Sequence, residues 1–250
     1  NSLMKIIFGL HLILFLIWSE YSYSPSKDSA KTNWSGELIF TGLYQSGNTN
    51  KFLVQGKGTV KKTNRTLETI LLLSGSYGEN KSTKDDNTYY GALTADLFYE
   101  DILSPFLLQY AEYNYSKGID FRSQSGGGIK YTFLPEKDHR SSVSLALIYD
   151  YLNLQNKPGN SKSKEIRFSI RVKTKQIVLD NHMNLIFVCM YQPVVNYFSK
   201  SNLYIEGTVE VPLTKLLRLN SIYTYSFDNV VSVGRKRADN KLTFGAGLFL

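Results

Sequence analysis

Residues Lys164–Lys173 read KEIRFSIRVK. Ile166, Phe168, Ile170 and Val172 alternate with Glu165, Arg167, Ser169, Arg171 and Lys173. A period of two marks an extended strand, whose side chains leave alternately from opposite faces. Here one face is apolar and the other ionic. No other feature constrains the fold as much, because the pattern recurs along nearly the whole chain. From Asn33 to Leu250 about twelve such runs follow one another. No segment of useful length outside the N-terminal apolar run keeps a helical period, and no linker divides the rest, so residues 33–250 are expected to form one all-β domain.

The charges decide which face points where. Strand-forming runs carry Lys57 and Lys61, then Glu165, Arg167, Arg171 and Lys173, then Glu206 and Glu210, each set opposite apolar residues. A barrel in water would turn the apolar face inward and the polar face outward, and a large apolar lumen enclosed by many strands is rare. Putting the charges inside such a soluble barrel would cost several kcal/mol for each unpaired charge. The inverted arrangement places apolar residues against lipid and charges toward a wet or ion-paired lumen. The expectation is therefore an antiparallel transmembrane β-barrel of about 12 strands. A soluble β-sandwich or lipocalin-like carrier is the alternative. Aromatic content of 14 %, with 18 Tyr and 14 Phe, suits an apolar–water boundary. Trp34, Tyr44, Tyr77, Tyr99, Tyr151, Tyr197 and Phe227 are expected to form the interfacial girdles.

The connections add a second rhythm. Tyr77–Asn87, Leu154–Lys164 and Asp228–Asn240 read as long polar loops, whereas Thr63–Asn64, Asp101–Ser104 and Pro212–Lys215 read as short turns. Long loops at one end and short turns at the other are the habit of outer-membrane barrels. Met4-Lys5, the apolar run Ile6–Trp18 and the small residues Ser22 and Ser24 read as a signal peptide over 1–24, with cleavage between 22 and 30. That run is too short to span a bilayer comfortably as a helix. Cys189 is the one cysteine, so no intrachain disulfide forms. The net charge is +8, but the basic residues are scattered among acids and form no block, so nucleic acid is not an expected partner.

Three stretches carry a family resemblance. They are Trp34-Ser-Gly-Glu-Leu38 with Gly42 and Gln45-Ser-Gly-Asn-Thr-Asn50, then Tyr89-Tyr-Gly-Ala-Leu93 with Asp96-Leu-Phe-Tyr99, and Gly118-Ile-Asp-Phe-Arg122 with Gly126-Gly-Gly128 and Tyr131. Over most of residues 33–250 the chain resembles the bacterial family known as domain of unknown function 481, also described as salt-induced outer membrane proteins. The resemblance implies a β-barrel and location in the bacterial outer membrane. It implies no activity and no catalytic residues.

The candidate site is the lumen. The alternation puts Lys57, Asp96, Arg122, Lys130, Asp150, Glu165, Arg167, Arg171, Glu206 and Glu210 on its wall, with Lys61, Lys173, Arg218 and Glu37 among them. Two readings stay open: a narrow polar pore slightly favouring anions, or interlocked ion pairs that fill and stiffen a structural envelope component. The function expected is one of these, without enzymatic activity. The alternatives are a lipid-modifying or lipid-hydrolysing barrel enzyme, or a barrel that binds ligands through its long loops. For catalysis a His base would be needed beside a nucleophile; His139 sits in a charged turn and His182 lies beside Asp180 and Asn181. Gly126-Gly-Gly128 lacks the Lys-Ser/Thr of a phosphate loop, Asp85-Asp86-Asn87 lacks calcium-loop spacing, and no Cys/His set suits zinc. No cofactor and no metal are expected. Expected partners are membrane lipid, including lipopolysaccharide, and the barrel-assembly machinery, read through the last strand, Lys241–Leu250. A monomer is expected.

Overall fold

The alternating runs become strands β1 Asn33–Gln45, β2 Lys51–Thr63, β3 Leu67–Asn80, β4 Thr83–Leu97, β5 Leu103–Asn114, β6 Ile119–Pro135, β7 His139–Leu154, β8 Lys162–Val178, β9 Met183–Val194, β10 Tyr197–Pro212, β11 Leu217–Asp228 and β12 Ala238–Phe249. The structure, a computed structural model, describes residues 32–45, 51–81, 83–136, 138–155, 162–180 and 182–250. The signal peptide expected over 1–24 and its cleavage window lie outside the described residues. No helix among the described residues is long and apolar enough to cross a membrane.

Each strand pairs antiparallel with its neighbours in sequence, and β1 closes the ring on β12 from Glu37↔Phe249 to Gly42↔Phe244. Closure leaves no row of unpaired N–H and C=O groups. In hydrocarbon each such group would cost several kcal/mol, so closure is what allows strands to cross lipid.

The outward face carries the apolar parity of each strand. Leu147 is 59 % exposed, Phe40 62 % and Leu107 61 %. Ile166 and Ile170 of β8 are exposed too, with Phe168 half-buried between them and Val172 half-buried beyond. Each such side chain gains about 1.5–3 kcal/mol on leaving water. A surface of this kind is far larger than the apolar patches of soluble monomers. Its natural environment is lipid. Trp34, Tyr44, Tyr77 and Tyr197 of the expected girdles are exposed, and Tyr151 and Phe227 are half-buried on the outward parity. Tyr99 instead sits in the β4–β5 turn, where its hydroxyl donates to Glu100 over 3.1 Å.

One expected loop is a correction. The segment Tyr77–Asn87 is mostly strand: β3 runs to Asn80 and β4 begins at Thr83, with Lys81 in the left-handed region (φ 50°) at the tip. Beyond the apolar belt the ladder needs only backbone hydrogen bonds, so a polar sequence extends the hairpin without alternating. A register shift between Gly78 and Glu79 marks where the regular strand gives way. Of the other two expected long loops, one is the connection of residues 229–237, and residues 156–161 of the other lie outside the described residues. A second difference concerns the inner face of β7. Ala146, Ile148, Leu152 and Leu154 point the same way as Ser144 and Asp150, and Phe106 and Ile119 pack with them in two small apolar clusters. The inner wall is thus not uniformly polar.

Candidate functional site: the inner wall

All ten residues expected on the lumen wall occupy the inward parity. For Lys57, Glu206, Asp96, Lys130 and Arg122 the clearest sign is that a partner lies on a strand that is not a neighbour. Lys57 of β2 is 3.7 Å from Glu206 of β10. Asp96 of β4 pairs with Lys130 of β6, across β5. Arg122 of β6 reaches Asp228 of β11 over 3.2 Å. Such spans are possible only through the interior of the cylinder.

The β6–β8 wall holds the densest group. Arg122 grips Asp150 through Nε at 2.9 Å and Nη2 at 2.8 Å, the bidentate fork that guanidinium and carboxylate favour. Arg167 approaches the same Asp150 through Nε at 2.6 Å, Glu165 through Nη2 at 3.1 Å and the Gln192 carbonyl through Nη1 at 3.0 Å. Arg167 and Asp150 are each only 1 % exposed. Two buried charges of one sign share one carboxylate here, with Glu165 and Asp228 completing the neutralisation. Glu165 also meets the half-exposed Lys200 at 3.0 Å. Glu210 accepts from Asn184 and from Arg218, both at 3.0 Å.

The β11–β12 connection folds over this group. Val230 packs against Ile119, Leu152 and Leu154. The Ser232 hydroxyl lies 2.9 Å from the Gly118 carbonyl and 2.6 Å from that of Gln155. Arg235 stacks 4.9 Å over the Tyr115 ring. One side of the mouth is therefore roofed, and the Arg–Asp network is sealed under the roof.

Away from the roof the wall is wetter. Lys61, paired with Glu68 at 3.3 Å, keeps 43 % of its side chain exposed. Lys173 is exposed although it faces inward, and Arg171 beside it is half-buried. Among the described residues neither of these two makes an ion pair. The inner tyrosines Tyr90 and Tyr110 pack with ring centroids 6.0 Å apart and their planes tilted by 35°. Tyr204 donates to Glu206 on the same strand.

Several members of this wall were missed in the sequence. Asp228 and Asp86 were assigned to loops, yet Asp86 of β4 meets Lys241 of β12 at 2.6 Å across the interior. Continuing the even parity of β11 through Ser226 would have reached Asp228. In Tyr89-Tyr90 both parities are aromatic, so the sequence does not say which ring turns inward. Neither described histidine sits in a catalytic arrangement. His139 Nδ1 is 2.6 Å from Gln176 Oε1, and His182 Nδ1 is 2.7 Å from the Leu179 carbonyl in its own turn. Among the described residues no cluster of His, Cys, Asp and Glu could hold a metal ion.

The model of the family described as protein of unknown function, DUF481, matches residues 40–248. Among solved structures, the NanC porin is similar in fold, with a TM-score of 0.55 and 10 % identity, over 85 % of this chain and 98 % of that one. The translocator domain of the autotransporter NalP from Neisseria meningitidis is a looser likeness, with a TM-score of 0.44 and 13 % identity, over 99 % and 96 %. OmpT, an outer membrane protein of Vibrio cholerae, gives a TM-score of 0.42 and 10 % identity, over 90 % and 99 %. No curated protein matches the sequence.

Proposed function

The chain belongs to the DUF481 family, and on that premise we propose that it is a bacterial outer-membrane barrel whose lumen is a narrow, polar, passive pore. One observation carries this reading: Lys173 faces inward and is exposed, so water reaches the inner wall, while the opposite parity is apolar. A closed ring with a wet charged interior and an apolar exterior conducts small polar solutes unless something fills it. The roof of residues 229–237 and the sealed Arg122–Asp150–Arg167 group support a narrow passage. The uncompensated cations Arg171 and Lys173 bias it toward anions.

The protein works as a monomer, held by membrane lipid including lipopolysaccharide, and β12 is the strand that the barrel-assembly machinery reads. It has no catalytic role; the engagement of His139 and His182 with Gln176 and with a turn carbonyl supports this. The roof itself favours one second reading, a closed barrel that serves as a structural envelope component.

Planar-bilayer recording separates the two. Purified barrel, checked by faster migration of unheated than of boiled protein, is expected to give discrete steps smaller than those of open porins. Silent bilayers from protein that passes the migration check contradict the pore and leave the structural component.

A further inference from the structure

Two rows of inward residues cross the β6–β8 wall side by side. The first row is Lys130 of β6, Ser144 of β7 and Arg171 of β8, joined by direct register pairs. The second is Thr132, Ser142 and Lys173 on the same three strands. Three cations and three hydroxyls thus share one patch of inner wall. Ser104 of β5 extends the first row beside Lys130.

Two observations mark this patch as more than a charged surface. First, its cations are in surplus. Asp96, the acid that acts on Arg171, is already paired with Lys130, and Glu68, the acid that acts on Lys173, is already paired with Lys61. Glu37 on β1 also faces Lys173, but Lys57 and Arg218 act on it more strongly, and among the described residues it makes no ion pair with Lys173. Arg171 and Lys173, two positions apart on one face of β8, are left as adjacent like charges. Such a pair is unfavourable unless an anion lies between or above them. Second, the hydroxyls of Ser104, Ser144 and Thr132 are buried and have no hydrogen-bond partner among the described residues. Ser144 is 3 % exposed and Thr132 2 %. Buried hydroxyls are ordinarily satisfied, so an orphaned Ser144 donor in direct register with the unpaired Arg171 asks for an acceptor.

We propose that this patch is an anion-binding site for a small oxyanion: sulfate, phosphate, or the same group carried on a solute such as a sugar phosphate. The Arg171 guanidinium offers two parallel N–H donors to two oxygens of one group. Lys173 supplies the second charge from the wet side. The Ser144 hydroxyl donates from the wall, and Lys130 behind it adds to the field. The site depends on the pore reading only for how the anion arrives; binding itself needs no more than a water-filled lumen.

The test is calorimetric titration of detergent-folded barrel with sodium sulfate, sodium phosphate and glucose 6-phosphate in low-chloride buffer, alongside bilayer recording. Wild type is expected to bind one oxyanion saturably. Arg171→Gln and Lys173→Gln are each expected to weaken binding by about tenfold or more, as loss of a charged hydrogen bond does. Ser144→Ala removes an unsatisfied group, so it is expected to fold normally and still weaken binding several-fold. Lys200→Gln, which removes a cation outside the patch, is expected to leave binding unchanged. Sulfate that binds while glucose 6-phosphate does not would restrict the site to free oxyanions; binding of both extends it to carried ones. No saturable binding, or binding untouched by Arg171→Gln, Lys173→Gln and Ser144→Ala, overturns the site. Conductance without binding overturns the site and keeps the pore, whereas binding without conductance overturns the pore and keeps the site.

Discussion

Asp150 receives both Arg122 and Arg167 while almost fully shielded from water, so its carboxylate neutralises two buried guanidinium groups at once. Removing it leaves positive charges facing each other with only Glu165 and Asp228 to offset them. Breaking a buried pair from one side costs about 3–5 kcal/mol, and Asp150→Ala is expected to lose about that much in urea unfolding of the detergent-folded barrel. Lys200→Ala serves as the contrast. Its ion pair with Glu165 is half-exposed, and such pairs contribute under about 1 kcal/mol. A similar small loss for Asp150→Ala would mean that water, not the carboxylate, solvates the two arginines. Parity alone placed Arg122, Asp150, Glu165 and Arg167 on the inner wall, because each sits within a strand whose other face is apolar. It did not show that they form one network, since partners on non-neighbouring strands depend on the curvature of the closed ring.

At the scale of the element, β8 was the most legible strand and the β3–β4 hairpin the least. In β8 every apolar residue from Ile166 to Val172 turns outward. In β3, Ile70-Leu-Leu-Leu73 puts apolar side chains on both faces, and past Tyr77 the alternation disappears although the ladder continues to Asn80. Alternation reports the lipid belt, not the strand, so the polar extension of the hairpin was hidden. The glycines of β6 show a different element-scale constraint. A Cβ at Gly128 would collide with the Leu145 carbonyl and the backbone of Ala146 on β7. The strands approach too closely there for any side chain, which fits a sheet coiled tightly enough to close. Gly128→Ala is expected to destabilise the barrel by about 1–3 kcal/mol or to block its folding. Gly207→Ala on β10, where a Cβ meets nothing within 4 Å, is expected to stay within about 0.5 kcal/mol of wild type. Equal unfolding midpoints for the two variants would contradict the close β6–β7 approach.

At the scale of the molecule the account rests on one orientation, with apolar parity toward lipid and charged parity toward the lumen. Closure of twelve strands, the ion pairs that cross the interior and the proposed pore all require it. The strand number, to about twelve, and the inward face of most charges were legible because nearly every strand repeats the same two-faced pattern, whereas Asp86 and Asp228 were hidden in segments read as loops. How open the lumen is was not legible, because the roof of residues 229–237 is a tertiary contact of a loop without periodicity. The most direct test is a cysteine scan along β8 in lipid vesicles. With Cys189 first replaced by alanine, single cysteines at 166, 167, 168, 169, 170 and 171 carry a fluorescent label. The account predicts that labels at 166, 168 and 170 are quenched by brominated lipid tails, and that those at 167, 169 and 171 are not quenched by lipid. Quenching of the opposite set, or of both sets alike, would contradict it.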